Sequence, residues 1–179
     1  LNDKNEILVG KRLDHPSGHW QMPQGGIDEN ENPEKAVWRE MFEEIGTNNA
    51  TMIKESNQWI NYKIPTETLA TLPWGDMYVG QTQKWFAFRF NGNDSDINVG
   101  TDNPEFSEWK WTHHNLLVEN IVPFKRNTYK KILKEFNNLF REYGSAVGNT
   151  VVFAGRGILN AMFHFFVIFF FSVSKLCGS

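Results

Sequence analysis

Apolar residues follow two different spacings along this chain, and the spacing assigns the elements. Short runs rich in β-branched and aromatic residues, alternating or continuous, predict strands at residues 6–12, within 51–64, at 83–90 and at 108–112. A period near four predicts a helix over 33–45, where Val37, Met41 and Ile45 share one face, Asn32 is the N-cap, Pro33 takes the first turn and Gly46 stops it. A second helix is predicted over 125–142, with Tyr129, Ile132, Leu133, Phe136, Leu139 and Phe140 as its apolar face. Strands and helices in this order predict an α+β sandwich. Residues 1–143 read as one domain without internal repeat, low-complexity linker or second core.

The pattern breaks after Gly144. Residues 157–174 carry no formal charge and include Phe163, Phe165, Phe166 and Phe169 to Phe171. This hydrophobic tail, 144–179, has three readings: a membrane anchor, an element packed on the body, or foreign sequence joined to a domain that ends near Tyr143. At the other end the chain opens on Leu1 in a turn before a strand, which predicts a missing upstream segment; no signal peptide is seen there.

With 179 residues, 40% apolar and 22% charged, the composition is that of a globular protein and excludes a collagen, a coiled coil or a disordered chain. The lone Cys177 permits no intrachain disulfide, so a reducing compartment is expected. Charge changes the picture more. The net charge is −3, and residues 28–44 alone hold seven acids (Asp28, Glu29, Glu31, Glu34, Glu40, Glu43, Glu44) against Lys35 and Arg39. On charge alone this is either a solvated helix face or a cation site.

Helical spacing sharpens the choice. Glu40, Glu43 and Glu44 fall at i, i+3 and i+4 on one face, where like charges destabilise a helix unless a cation compensates, and hard carboxylate oxygens suit Mg²⁺ or Mn²⁺. Ahead of the helix, Gln24-Gly25-Gly26 permits close backbone approach and carbonyl coordination. The full stretch is Gly25, five residues, Glu31, seven residues, then Arg39-Glu40-Met41-Phe42-Glu43-Glu44-Ile45-Gly46. It resembles the signature of the Nudix hydrolase superfamily at every position but the last, where Thr47 replaces an aliphatic residue. A match of this kind arises by chance at a rate on the order of one in a million.

The resemblance implies an α/β/α sandwich with a mixed sheet and hydrolysis of phosphoric anhydrides with Mg²⁺ or Mn²⁺. It implies Glu40, Glu43 and Glu44 as metal ligands and catalytic groups, with the Gly25 carbonyl beside them, and Arg39 with Glu31 as the pair that registers loop on helix. It also implies a first strand that would precede Leu1; if nothing lies upstream, an unfilled sheet position and an unstable chain are expected.

Outside this signature, Trp20 to Ile27, Gly80 to Phe86, Asn103 to Phe106 and Pro123 to Arg126 resemble one subgroup, the bacterial RNA pyrophosphohydrolases and the related dinucleoside polyphosphate hydrolases. That resemblance implies Glu105 as a fourth carboxylate, ligand or general base. It implies Phe124 and Lys125 as a base-stacking ring beside a basic helix, and Arg12, Gln24, Gln81 and Lys84 as substrate contacts. The expected partner is 5′-triphosphorylated RNA, with dinucleoside polyphosphates such as diadenosine tetraphosphate and a non-catalytic binding module as alternatives. The expected location is cytoplasmic, with a membrane only if the tail is an anchor, and no DNA partner is expected.

Three smaller readings complete the pattern. Asn30 stands where glycine is usual and tolerates a left-handed backbone, and Thr82 replaces a basic residue. The pair His113-His114 reads as a loop rather than a metal site, since neighbouring strand-end side chains point apart. Trp59, Trp85, Trp109 and Trp111 read as sheet packing.

Overall fold

A computed structural model describes residues 6–14, 18–72, 75–141 and 167–178. The predicted strand 6–12 is β1 (Glu6–Arg12). Two short strands, β2 (Trp20–Gln21) and β3 (Gln24–Gly26), lead to helix α1 (Pro33–Ile45). The stretch predicted as one strand region, 51–64, folds as two, β4 (Ala50–Glu55) and β5 (Ile60–Lys63). After the single turn α2 (Thr66–Leu69) comes β6 (Tyr78–Phe90), five residues longer at its start than the aromatic pattern indicates. β7 (Phe106–His113), the short α3 (Leu117–Asn120) and α4 (Arg126–Glu135) follow. The helix expected over 125–142 is interrupted: Pro123–Lys125 form a 3-10 turn, α4 ends at Phe136 (φ −95°, ψ 7°), and residues 137–141 resume as a helix.

Local chemistry explains the ends of α1. The Asn32 side chain accepts from the Lys35 N–H at 2.7 Å, Pro33 needs no donor there, and Gly46 closes the helix at φ +73° with its N–H on the Phe42 carbonyl. Asn30 takes φ +64°, as its residue type foreshadows.

The sheet is mixed and covered on both faces. On β1, Ile7 and Val9 face one layer and Leu8 the other; on β6, Trp85 and Ala87 oppose Phe86, Phe88 and Phe90. One core packs Ile7, Val9, Trp85 and Ala87 against Tyr129, Ile132 and Phe136 of the C-terminal helices. The other packs Leu8, Phe86 and Phe88 against Ala36, Val37 and Met41 of α1. These are the three layers of an α/β/α sandwich.

The centre of the sheet corrects one expectation. Residues 167–178 form β8 (Val167–Gly178), which pairs antiparallel with β6 over its whole length, from Phe90↔Val167 to Tyr78↔Gly178. Its other edge runs parallel to β1 at Ile7↔Ile168 and to β3 over Gln24–Gly26↔Ser172–Ser174. No strand precedes β1 among the described residues, yet the sheet position beside β1 and β6 is filled, from the far end of the chain. Of the tail, 167–178 lie in the sheet as β8; residues 144–166 lie outside the described residues. Among the described residues no helix is long and apolar enough to cross a membrane.

Because Ser172 lies between Trp85 on one side and Gln24 on the other, proline there removes a ladder hydrogen bond whichever way its N–H points. Ser172→Pro is expected to lower the melting midpoint by at least about 5 °C, read by circular dichroism. An unchanged midpoint would show that β8 does not hold the sheet together.

Candidate functional site

The site forms where α1 meets the Gln24–Ile27 loop. Glu40 and Glu44 lie one turn apart on the buried side of α1, and both are pulled out of water. The loop supplies backbone donors to them: Gly26 N–H donates to Glu40 Oε1 at 2.9 Å and Gln24 N–H to Glu44 Oε2 at 3.1 Å. Gly25 is required by closeness, since a Cβ there would fall 2.0 Å from the Glu40 carboxyl carbon.

Arg39 is the hub of this loop and helix. Its Nε and Nη2 donate to the two oxygens of Glu31 at 3.0 and 2.7 Å, its Nη1 to Glu40 at 2.8 Å and Glu43 at 3.1 Å, and its Nη2 also to the Gly26 carbonyl at 2.9 Å. The Arg39 hydrogen bond is the main reason Glu31 is held below its ordinary carboxylate range. Thus Arg39 and Glu31 do tie loop to helix, and Gly46 caps the helix end beyond them.

Electrostatics then leave a deficit. Burial pushes the Glu40 carboxyl up and the Glu44 carboxyl well up; Glu44 is raised further by Glu105 and Glu40. Glu105, on the loop before β7, is thereby brought against an acid of α1 that lies 61 positions earlier, and it is bound by Arg12 Nη1 at 2.9 Å. Glu44 Oε1 is buried without a hydrogen-bond partner. A buried carboxylate oxygen with no donor, facing further carboxylates, fits a divalent cation as its partner. The fit is incomplete in one respect: among the described residues no three such acids converge as a ready-made cation cage, because Glu43 is turned toward Arg39 on the exposed flank.

Two adjoining cavities share Arg12, Gln24 and Gln81. The first, about 490 Å³, is walled by Gly25, Gly26 and Glu105 and by Ser174 and Lys175 of β8. The second, about 320 Å³, is walled by Tyr62, Val122, Phe124 and Lys125. Phe124 packs on the core with one part and tilts against Tyr62 with another, ring centroids 6.0 Å apart. It belongs both to the core and to the cavity wall.

Gln24 joins the two halves. Its side-chain oxygen accepts from Gln83 Nε2 at 3.2 Å and from Lys125 Nζ at 3.0 Å, while Gln83 also donates to Gln81 at 3.4 Å, and Tyr62 donates to Gln81 at 2.5 Å. Lys125 is buried, which lowers its pKa to about 7, and its ammonium lies 5.5 Å from the Tyr62 ring.

One predicted contact is not brought here. Lys84 lines neither cavity; its ammonium pairs with Glu55 of β4 at 2.8 Å. The residues that sequence reasoning missed are Tyr62 and Gln83, whose alternating positions read only as sheet, and Ser174 and Lys175, whose placement depends on a pairing more than 80 positions away in sequence. The side chains of His113 and His114 do not point apart as expected: their rings lie tilted 4.3 Å apart between centroids, and His114 stacks on Phe140 of the first core at 4.4 Å.

Comparison with known proteins follows the same lines. A family model described as NUDIX domain matches residues 1–132. A Rhodospirillum rubrum protein named RNA pyrophosphohydrolase is 51% identical over 135 residues, 75% of this chain and 81% of that protein. One of that name from Rickettsia prowazekii is 48% identical over 141 residues, 79% and 87% of the two chains, and one from Wolbachia pipientis 44% over 142 residues, 79% and 86%.

The unfolded chain keeps a lysine proton up to about 10.5, whereas folded Lys125 gives it up near 7. Between those limits the unfolded state binds more protons, so this group makes stability rise with pH. In urea denaturation at pH 7 and pH 9, Lys125→Met is expected to remove that part of the rise; an identical pH slope would refute the burial argument.

Proposed function

The chain belongs to the NUDIX domain family, and on that premise we propose that it is an RNA pyrophosphohydrolase. It hydrolyses the anhydride between the α and β phosphates of 5′-triphosphorylated RNA, leaving a 5′-monophosphate end open to decay. The observation that carries this reading is the single groove in which an acid cluster suited to a cation adjoins an aromatic and basic pocket, with Gln24 bonded to both.

In this reading Glu40 and Glu44, joined by Glu43 once it leaves Arg39, would hold the divalent metal that the family uses, Mg²⁺ or Mn²⁺, with the Gly25 carbonyl at hand. When bound, the metal supplies neutralisation of phosphate charge and acidification of water. The chain's own residues do the rest. Arg39 keeps the Gly25-Gly26 turn and α1 in register, so the acids are positioned before substrate arrives. Glu105 reaches the same point from its loop, as a further ligand or as the base that takes the proton of the attacking water. Arg12 steadies Glu105 and offers a guanidinium to phosphate, with Gln81 beside it. Phe124 and Tyr62 present ring faces to an unpaired 5′ base, while Lys125 and Gln24 place donors and acceptors at its edge. The setting is the cytoplasm, where such transcripts occur, and DNA is not a partner.

A dinucleoside polyphosphate such as diadenosine tetraphosphate is the second reading. It needs the same acids, and the same ring pair serves an adenine. A recognition module without catalysis is disfavoured because all four carboxylates are present.

With Mg²⁺, a short 5′-triphosphate RNA is expected to be cleaved with higher kcat/KM than diadenosine tetraphosphate, and Phe124→Ala to erode the RNA rate selectively. The reverse preference would move the chain to the second reading. Glu43→Gln is expected to cut kcat by a factor of about 10² or more with RNA binding retained. Unchanged turnover would remove Glu43 from the metal site.

A further inference from the structure

The end of β8 runs beside the glycine loop rather than away from it. Ser172, Val173 and Ser174 pair with Gln24, Gly25 and Gly26. Ile27 N–H donates to the Ser174 carbonyl at 3.2 Å, and the Ser174 hydroxyl donates to the Gly25 carbonyl at 3.3 Å. The residue that follows, Lys175, is exposed and stands on the wall of the 490 Å³ cavity with Gly25, Gly26 and Glu105.

Charge on that wall is unevenly committed. Arg12 is the other cation lining it, and its three donor nitrogens are engaged: Nε and Nη2 on Asp14 at 2.6 Å each, Nη1 on Glu105 at 2.9 Å. Lys175 has no ion pair among the described residues. A triphosphate brought to a cavity already lined by Glu105 needs positive charge beyond Arg12, and a flexible ammonium at the rim supplies it as a point charge.

We propose that Lys175 is a substrate-binding residue, its ammonium contacting the phosphate oxygens of the bound 5′ end, so that the C-terminal strand forms one wall of the active site. This rests on the phosphoric anhydride reading above and assigns a binding role to a segment outside the residues matched by the family model.

The test uses the full chain and a short 5′-triphosphate RNA with Mg²⁺. Lys175→Met, which keeps the stem and removes the charge, is expected to raise KM about fivefold to tenfold with kcat within about twofold, and Lys175→Arg to restore KM. The slope of log(kcat/KM) against log salt should flatten by about 0.7 in Lys175→Met, the value for one lost phosphate contact to a single strand. An equal melting midpoint certifies the fold. Wild-type KM and salt slope in Lys175→Met would overturn the proposal while leaving the enzyme reading intact. If the wild type turns over no RNA, the substrate reading fails instead, and binding of inorganic tripolyphosphate without metal decides Lys175. About fivefold weaker binding by Lys175→Met then supports the proposal. Equal binding, or no binding by the wild type, overturns it.

Discussion

A carboxylate oxygen buried without a donor, Glu44 Oε1, organises this molecule. Three acids within five residues of one helix repel one another, and burial makes the charges of Glu40 and Glu44 dearer still. The chain answers with geometry. Arg39 spreads one guanidinium over Glu31, Glu40, Glu43 and the Gly26 carbonyl, and two backbone N–H groups of the glycine loop satisfy Glu40 and Glu44. Those contacts fix where the loop lies, and the loop fixes where β3 runs. The oxygen left over has no donor among the described residues, and Glu105 aggravates the deficit from outside the helix. A folded chain retains such an arrangement when an external cation completes it.

From that point the groove grows by hydrogen bonding through amides. Gln24 has its backbone on Glu44 and its side chain on Gln83 and Lys125; Gln83 passes to Gln81, and Gln81 to Tyr62. Neutral amides are suited to this task because they transmit position without adding charge beside an acid cluster. Burying Lys125 beside Gln24, where this chain of amides begins, lowers its pKa to about 7.

What the sequence made legible follows from range. The α1 signature, its caps, and the pairing of Arg39 with Glu31 lie within about twenty-two residues, and local spacing encodes them directly. The two cores were legible in part, because alternation in 83–90 and the helical period in 125–142 each mark a buried face without saying which layer it meets. Lys84 was not legible for a related reason: its ammonium is taken by Glu55 of β4, a pairing across strands that local sequence does not mark. Glu105 was legible only through the resemblance of Asn103 to Phe106, since by composition and spacing an exposed loop acid and a site acid look alike until the fold brings it to Glu44. The Phe-rich segment 167–173 hid its role most completely. Its composition fits a membrane, a core or a strand equally, and only pairing with β6, about 80 to 100 positions earlier, distinguishes them.

That pairing has a kinetic corollary. β8 lies between β6 on one edge and β1 with β3 on the other, so the glycine loop does not gain its neighbour until the far end of the chain has arrived. Contacts of such separation carry a loop-closure cost that local helix formation in α1 and α4 does not. The acids of α1 can therefore align on their helix early, while the cavity that gives them a substrate closes late. Assembly of the site is thereby coupled to completion of the sheet, and the hydrogen bonds from Ile27 and Ser174 that join β8 to the glycine loop lie in the wall of the cavity that Glu105 also lines.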